Sequence, residues 1–240
     1  MLKHHTQTTI NHKIMKNLIK KIPVLGPLSI FLKNKIFLNK EFTNSKDYWM
    51  NRYEQGGNSG AGSYNNLAEF KCEIINEFVS STNLETVIEL GFGDGNQLEY
   101  FQFKSYTGFD ISNAVIEKCR EKFKNDTSKH FMHMDSITNQ KAEMVMSLDV
   151  IYHLIEDEVY NSYMNNLFDL SNRYVIIYAL DSDDSDNYQA HVKPRKFTRW
   201  IDANRLEFKL IKHIPNRYPF DKKKPKSTSF ADFYIFEKVN

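Results

Sequence analysis

Nine residues, Val87 to Gly95, read V-I-E-L-G-F-G-D-G and put an acid, Glu89, two positions before the first of three alternating glycines. An apolar run such as Thr86-Val87-Ile88 suits a buried parallel strand, and glycines after it let backbone N–H groups approach a small polar ligand where the next helix begins. Taken alone, the turn is equally explained by conformational need, because tight turns use glycine for its backbone freedom. Further acids repeat the pattern. Asp110 closes the run S-Y-T-G-F-D, 21 positions after Glu89, which is the spacing that one helix plus one strand imposes on a ribose-binding acid in nucleoside-binding α/β folds. Asp110 could also cap the following helix, with Ser112 competing for that place. Asp135 and Ser136 follow H-F-M-H-M, and Asp149 follows M-V-M-S-L.

His153 comes shortly after Asp149, in D-V-I-Y-H. An imidazole with an ordinary pKa near ~6.5 suits general-base work at neutral pH; a structural histidine holding the turn, or one touching only a cofactor, is the other reading. His191 and Arg195, with Lys193 and Lys196, form a basic cluster that would suit a phosphorylated, nucleotide-linked or phosphoramidate acceptor. The same cluster could instead be a solvated loop beside the acidic stretch Asp181 to Asp186. That stretch lacks the glycine and closing glutamate of a calcium loop, so no metal site is expected. Lys222 to Lys224 reads as a solvated charge run.

These residues need a scaffold that brings them to one edge. Strands are expected at 86–88, 105–112, 130–134, 143–148 and 173–178, with a helix at 66–79 before the first and helices at 96–103, 113–123 and 156–170 between them. Alternation of this kind implies right-handed crossovers and a parallel sheet with its ligand crevice at the carboxyl ends of the strands. A helix at 197–203 and strands near 208–211 and 230–236 finish the chain. Asp47 to Tyr53 reads as a short aromatic helix capped by Ser45 or Asp47. The glycine-rich G-G-N-S-G-A-G-S-Y that follows is either a mobile cover over the pocket or a flexible linker.

The composition is that of a soluble globular protein, with 41% apolar and 26% charged residues in 240. Residues 1–40 contain eight lysines and no acid, so the remaining 24 basic and 30 acidic groups give the body a net charge of −6. That disfavours a nucleic-acid-binding body, which needs a continuous basic face. The two cysteines, Cys72 and Cys119, lack metal or redox spacing and are expected to be reduced thiols of a cytoplasmic protein. Two domains follow: a basic amphipathic helical extension over 1–44 and a catalytic domain over 45–240. The extension, interrupted by Pro23, Gly26 and Pro27, would either attach peripherally to an anionic membrane surface or partner, or pack on the body as an accessory helix pair.

As an ordered set, the residues resemble a class I S-adenosylmethionine-dependent methyltransferase. E-L-G-F-G-D-G resembles that family's first motif, Y-T-G-F-D-I-S its second-strand motif, M-D-S its adenine-binding corner and S-L-D-V-I-Y-H-L its fourth-strand motif. The resemblance implies a Rossmann-like, seven-stranded, mostly parallel sheet with helices on both faces and an antiparallel last strand. It implies S-adenosylmethionine as cofactor, with Gly91 and Gly93 beneath its methionine part, Asp110 on the ribose, Asp135 and Ser136 on the adenine edge, Ile111 on the adenine face and the Leu148 carbonyl near the amine. More narrowly, Y-W-x-x-R-Y with G-G-N-S-G-A-G-S-Y resembles methyltransferases of bacterial capsule and lipopolysaccharide synthesis. On that resemblance Tyr48, Arg52 and Ser63 enclose the methionine end, with Arg52 pairing the carboxylate. Phe92 departs from the small residue many relatives carry, at a position where only backbone is needed. The expected reaction is O-methylation of a small sugar, nucleotide-sugar or phosphoramidate-type precursor of a surface polysaccharide, with His153 as base and Tyr152, His191 and Arg195 contacting the acceptor. A non-catalytic S-adenosylmethionine-binding scaffold subunit and an NAD-dependent oxidoreductase are the alternatives, the latter disfavoured by GxGxG in place of GxGxxG.

Overall fold

In the computed structural model, residues 42–184 and 188–239 are described. The expected lysine-rich extension lies, but for its last three residues, outside them. Helix α1 (Ser45–Glu54) and a short 3-10 turn at Ala61–Ser63 precede α2 (Asn65–Thr82). The chain then alternates β1 (Thr86–Leu90), β2 (Ser105–Asp110), α3 (Asn113–Lys122), β3 (Lys129–His133), β4 (Ala142–Leu148), α4 (Asp157–Asp169) and β5 (Ser171–Ala179). It ends in α5 (Phe197–Asn204), β6 (Phe208–Ile214) and β7 (Asp232–Lys238).

The seven strands form one sheet in the order β3-β2-β1-β4-β5-β7-β6. The first five are parallel, and β7 runs antiparallel between β5 and β6. This is the expected Rossmann-like fold, and β1 beside β4 forms the switch point where a ligand crevice opens. Alternation along the strands divides the core. Val87, Met144, Met146, Ile176 and Tyr178 face α2 and α3, whereas Ile88, Leu90, Val145, Val175 and Ile177 face α4 and α5. Each such fully buried aliphatic chain stabilises the fold by roughly 1.5–3 kcal/mol relative to exposure.

Two local expectations are corrected. The segment 96–103 is not a helix: a 3-10 turn at Gln97–Glu99 gives way to extended chain. Its burial has strand-like period two, with Phe101 and Phe103 inward and Tyr100 and Gln102 outward. Asn76 fixes that course, donating to the Tyr100 carbonyl (2.9 Å) and accepting from the Gln102 N–H (2.9 Å). The cap of α1 is Asn44, whose Oδ1 accepts from the Asp47 N–H at 2.8 Å, and not Ser45 or Asp47. At α3 the cap position belongs to Ser112, which frees Asp110 for the crevice.

Candidate active site

The strand tips surround a cavity of about 460 Å³. Gly91, Gly93, Asp110, Ile111, Asp135 and Leu148 all line it, as do Ser63 and His153. Beyond β1 the chain turns through Gly91 (φ 78°) and Gly93 (φ 63°), conformations that side chains rarely adopt. The Gly91 N–H donates to the Phe109 carbonyl (2.7 Å), and the Gly93 N–H to Asp110 Oδ2 (3.0 Å). Asp110 Oδ1 accepts from the Ser112 N–H at 3.0 Å. Burial raises its pKa to about 6, against the pull of the Ser112 and Gly93 N–H groups. A carboxylate held by backbone at a strand tip keeps remaining lone pairs for ligand hydroxyls. Ser136 is turned away: its hydroxyl donates to the His133 carbonyl (2.6 Å), and it does not line the cavity.

Helix α1 and the glycine-rich loop cover this cradle. Ser45 ties the start of α1 to the start of α4, its hydroxyl accepting from the Ile155 N–H (2.8 Å) and its N–H donating to Glu156 (2.9 Å). Trp49 and Tyr53 line the cavity from above. Ser59 and Asp94 form a reciprocal pair: the Ser59 N–H donates to Asp94 Oδ2 (3.1 Å) and the Asp94 N–H to Ser59 Oγ (2.8 Å). Tyr64 adds a 2.5 Å bond to the same carboxylate. Burial raises the Asp94 pKa, but the Tyr64 and Ser59 donors outweigh it and hold the group below its ordinary value. A Cβ at Gly93 would collide with Ser59 Oγ, so the glycine permits the close approach of the loop as well as the turn. Arg52 shapes the loop, donating to the Asn58 carbonyl (2.7 Å) and lying 5.4 Å from the Trp49 ring centre. Tyr48 stacks on His191 at 4.4 Å. Neither Tyr48 nor Arg52 is among the lining residues.

Gln97 is 3% exposed and lines the cavity. Its Nε2 lies 3.5 Å from Glu89 Oε1, while its Oε1 has no hydrogen-bond partner. Buried polar atoms are seldom left unpaired, so this wall suits a ligand carrying a donor. Glu89 itself is fully buried beneath the cradle, where Tyr106 donates to it at 2.7 Å. Burial raises its pKa to about 7, opposed by the Tyr106 and Lys71 contacts.

On the opposite wall Asp149 follows β4 in a left-handed conformation (φ 61°), which Asp tolerates better than most residues. Its carboxylate receives Lys71 Nζ and the Tyr152 hydroxyl, each at 2.7 Å. Tyr152 is thereby turned into the wall and is not a lining residue. His153 Nδ1 sits 2.8 Å from the His191 carbonyl. A carbonyl only accepts, so the proton is on Nδ1 and Nε2 keeps its lone pair. Burial lowers the His153 pKa to about 4, partly offset by that bond. Trp49 meets this ring edge-on at 4.8 Å, and His191 lies parallel to it at 5.4 Å.

Arg195 stands outside the cavity. Its guanidinium donates to the Leu154 and Ile155 carbonyls (2.6 and 2.9 Å) and to Asp157 (2.7 Å), which Lys193 also pairs. Lys196 pairs Asp181, and Arg199 pairs Asp183. The basic cluster read from the sequence is therefore largely engaged by acidic neighbours, with Lys193 and Arg195 sharing Asp157. Ser59, Asp94, Gln97 and Lys71 were not singled out as site residues from the sequence. Lys71 left one signal, since it falls on the apolar face of α2 between Leu67 and Ile75 and is 0% exposed.

Residues 88–182 match the family model described as "Methyltransferase domain". Over that stretch the chain is similar to a methyltransferase domain. Solved structures share the fold of this chain at low identity. An N-methyltransferase from Bradyrhizobium japonicum WM9, NodS, in complex with S-adenosyl-L-homocysteine, is 12% identical with a TM-score of 0.65, the match covering 82% of this chain and 100% of that one. Magnesium protoporphyrin IX methyltransferase from Synechocystis PCC 6803, with S-adenosylhomocysteine bound, is 16% identical with a TM-score of 0.58, covering 85% and 100%. An S-adenosylmethionine-dependent methyltransferase from Clostridium acetobutylicum ATCC 824 is 14% identical with a TM-score of 0.52, covering 70% and 91%. A search of curated proteins gave no match.

S-adenosylmethionine is the cofactor that the sequence resemblance implies, and the cradle fits it. Gly91 and Gly93 keep the floor free of side chains, Asp110 offers a carboxylate for ribose hydroxyls, and the unpaired Gln97 Oε1 can accept from an ammonium.

Proposed function

We propose that the protein transfers a methyl group from S-adenosylmethionine to a hydroxyl oxygen of a small sugar, nucleotide-sugar or phosphoramidate-type precursor of a bacterial surface polysaccharide. The observation that carries the reading is His153, a neutral imidazole in the cavity wall whose Nδ1 proton is committed to the His191 carbonyl. When bound, the cofactor supplies an electrophilic methyl group on its sulfonium. The acceptor oxygen gains positive character as it attacks, and Nε2 accepts the proton that must leave. Because the imidazole is already neutral at pH 7, it needs no prior deprotonation. Trp49 and the strapped loop cover part of the cavity, and alignment within it contributes several kcal/mol. The polysaccharide assignment is supported by the Y-W-x-x-R-Y and G-G-N-S-G-A-G-S-Y segments, which form the cover of the cavity.

The test is incubation of the full chain with methyl-labelled cofactor and a panel of sugars, sugar phosphates and nucleotide-linked sugars. Label on a sugar oxygen is the expected product. Calorimetry with S-adenosylhomocysteine and NAD accompanies it, and exclusive binding of NAD overturns the reading.

A further inference from the structure

The β6–β7 connection, residues 215–231, lies at the carboxyl edge of the sheet, because β7 begins with Asp232 paired to Ala179 at the end of β5. It is a folded loop. Lys224 donates from its N–H to the Asp221 carbonyl (2.9 Å), and its own carbonyl accepts from Thr228 Oγ1 (2.7 Å). Asn66 Nδ2 donates to the Ser227 carbonyl at 2.9 Å, which fixes the loop against the start of α2, three residues beyond the cavity-lining Ser63.

Several cations near this edge are already committed. Lys71 pairs Asp149, Lys193 and Arg195 pair Asp157, Lys196 pairs Asp181, Arg199 pairs Asp183 and Arg217 pairs Glu73. Lys222, Lys223, Lys224 and Lys226 differ. All four are exposed, and among the described residues none has an ion-pair partner. Four like charges on one short turn repel one another, so the arrangement favours a multivalent anion.

Packed rings connect this turn to the reactive wall, with the buried Tyr152 between Phe230 and His153. Phe220, 48% exposed, meets Phe230 at 5.9 Å; Phe230 meets Tyr152 at 5.4 Å; and Tyr152 meets His153 at 4.6 Å. Exposed aromatic rings are apt surfaces for sugar or base faces.

Resting on the reading of a sugar hydroxyl as acceptor, we propose that the acceptor carries a phosphate or diphosphate that binds Lys222, Lys223, Lys224 and Lys226, with its sugar lying along Phe220 and Phe230 toward His153. The diphosphate belongs either to a soluble nucleotide-linked sugar or to a lipid-linked one at a membrane surface; the binding chemistry is shared.

The test replaces all four lysines by Gln in the full chain, with a Lys209→Gln, Lys212→Gln variant on β6 as charge control. Probes are pyrophosphate and uridine diphosphate by calorimetry at low salt with saturating S-adenosylhomocysteine, and vesicles of phosphatidylcholine with phosphatidylglycerol by sedimentation. A loss of about tenfold or more in affinity for a soluble probe, with S-adenosylhomocysteine binding unchanged and the β6 variant like wild type, supports the site and the soluble source. The same loss confined to vesicles supports the lipid-linked source. Unchanged binding of every probe, or an equal loss in the β6 variant, overturns the proposal. Methyl transfer to uncharged sugars with full efficiency in the four-lysine variant also counts against it while leaving the methyltransferase reading intact. Retained phosphate binding with no methyl transfer to any sugar sinks that reading and spares this site.

Discussion

At the scale of single residues, the cavity separates groups that hold a charge from groups that hold a proton. The Asp149 carboxylate is occupied by Lys71 and the Tyr152 hydroxyl, whereas His153 is neutral with one nitrogen free. His153→Gln should lower kcat by about 10²–10⁴-fold, with S-adenosylhomocysteine affinity little changed. Unchanged turnover at unchanged affinities removes His153 as the base. Asp110 gives a separate pH signature. Its pKa is raised to about 6, and the ionised form is the one that accepts from ribose hydroxyls. Affinity for S-adenosylhomocysteine should therefore be constant above pH 6 and weaken as pH falls below it, by up to about tenfold per unit. Asp110→Asn should bind weakly and lose that slope; an identical slope in the variant would assign the titration elsewhere.

At the scale of elements, what was legible in the chain followed from local pattern. Apolar runs ending in acids marked β1, β2 and β4, and because parallel strands share one carboxyl edge, Gly91, Gly93, Asp110, Ile111, Asp135 and Leu148 had to meet. What was not legible depended on contacts between distant segments. Nothing local foretells that Asn76 straightens 100–102, that Asp157 consumes Arg195, or that Ser136 turns back onto His133. The glycine-rich loop carried two readings, cover and linker; the reciprocal Ser59–Asp94 bonds make it a cover. Asp94→Asn replaces one carboxylate oxygen by a donor and removes at least one charge-assisted bond, of about 1.5–3 kcal/mol. S-adenosylhomocysteine should dissociate roughly tenfold or more faster, and proteolysis between Glu54 and Ser63 should accelerate in the ligand-free protein. An unaltered dissociation rate with unaltered cleavage would show that the strap is not what retains the ligand.

At the scale of the whole molecule, the site works against folding stability. Glu89 is 0% exposed in the centre of the sheet, and burial raises its pKa to about 7. The unfolded chain titrates this group near ~4.5, so between that pH and about 7 the folded state binds more protons than the unfolded one. The contribution of Glu89 to stability is thus greatest below about 4.5 and is lost as pH rises through 7. Asp110 acts in the same direction with its pKa at about 6. His153 opposes both: its pKa falls from 6.5 to about 4, so its contribution is present above 6.5 and lost as pH drops toward 4. Opposed slopes mask one another in the wild type, and a difference measurement separates them. Glu89→Gln removes only the first. Denaturant unfolding across the pH range should show the variant gaining stability relative to wild type as pH rises from about 4.5 to 7, with a slope of at most about 1.4 kcal/mol per unit and a plateau above 7. The absolute offset depends on how well the amide replaces the carboxylate between Tyr106 and Gln97, but the slope does not. A flat difference would mean that Glu89 keeps its ordinary acidity in the folded protein, and that the strand tip beneath the glycines is less isolated from water than its burial implies.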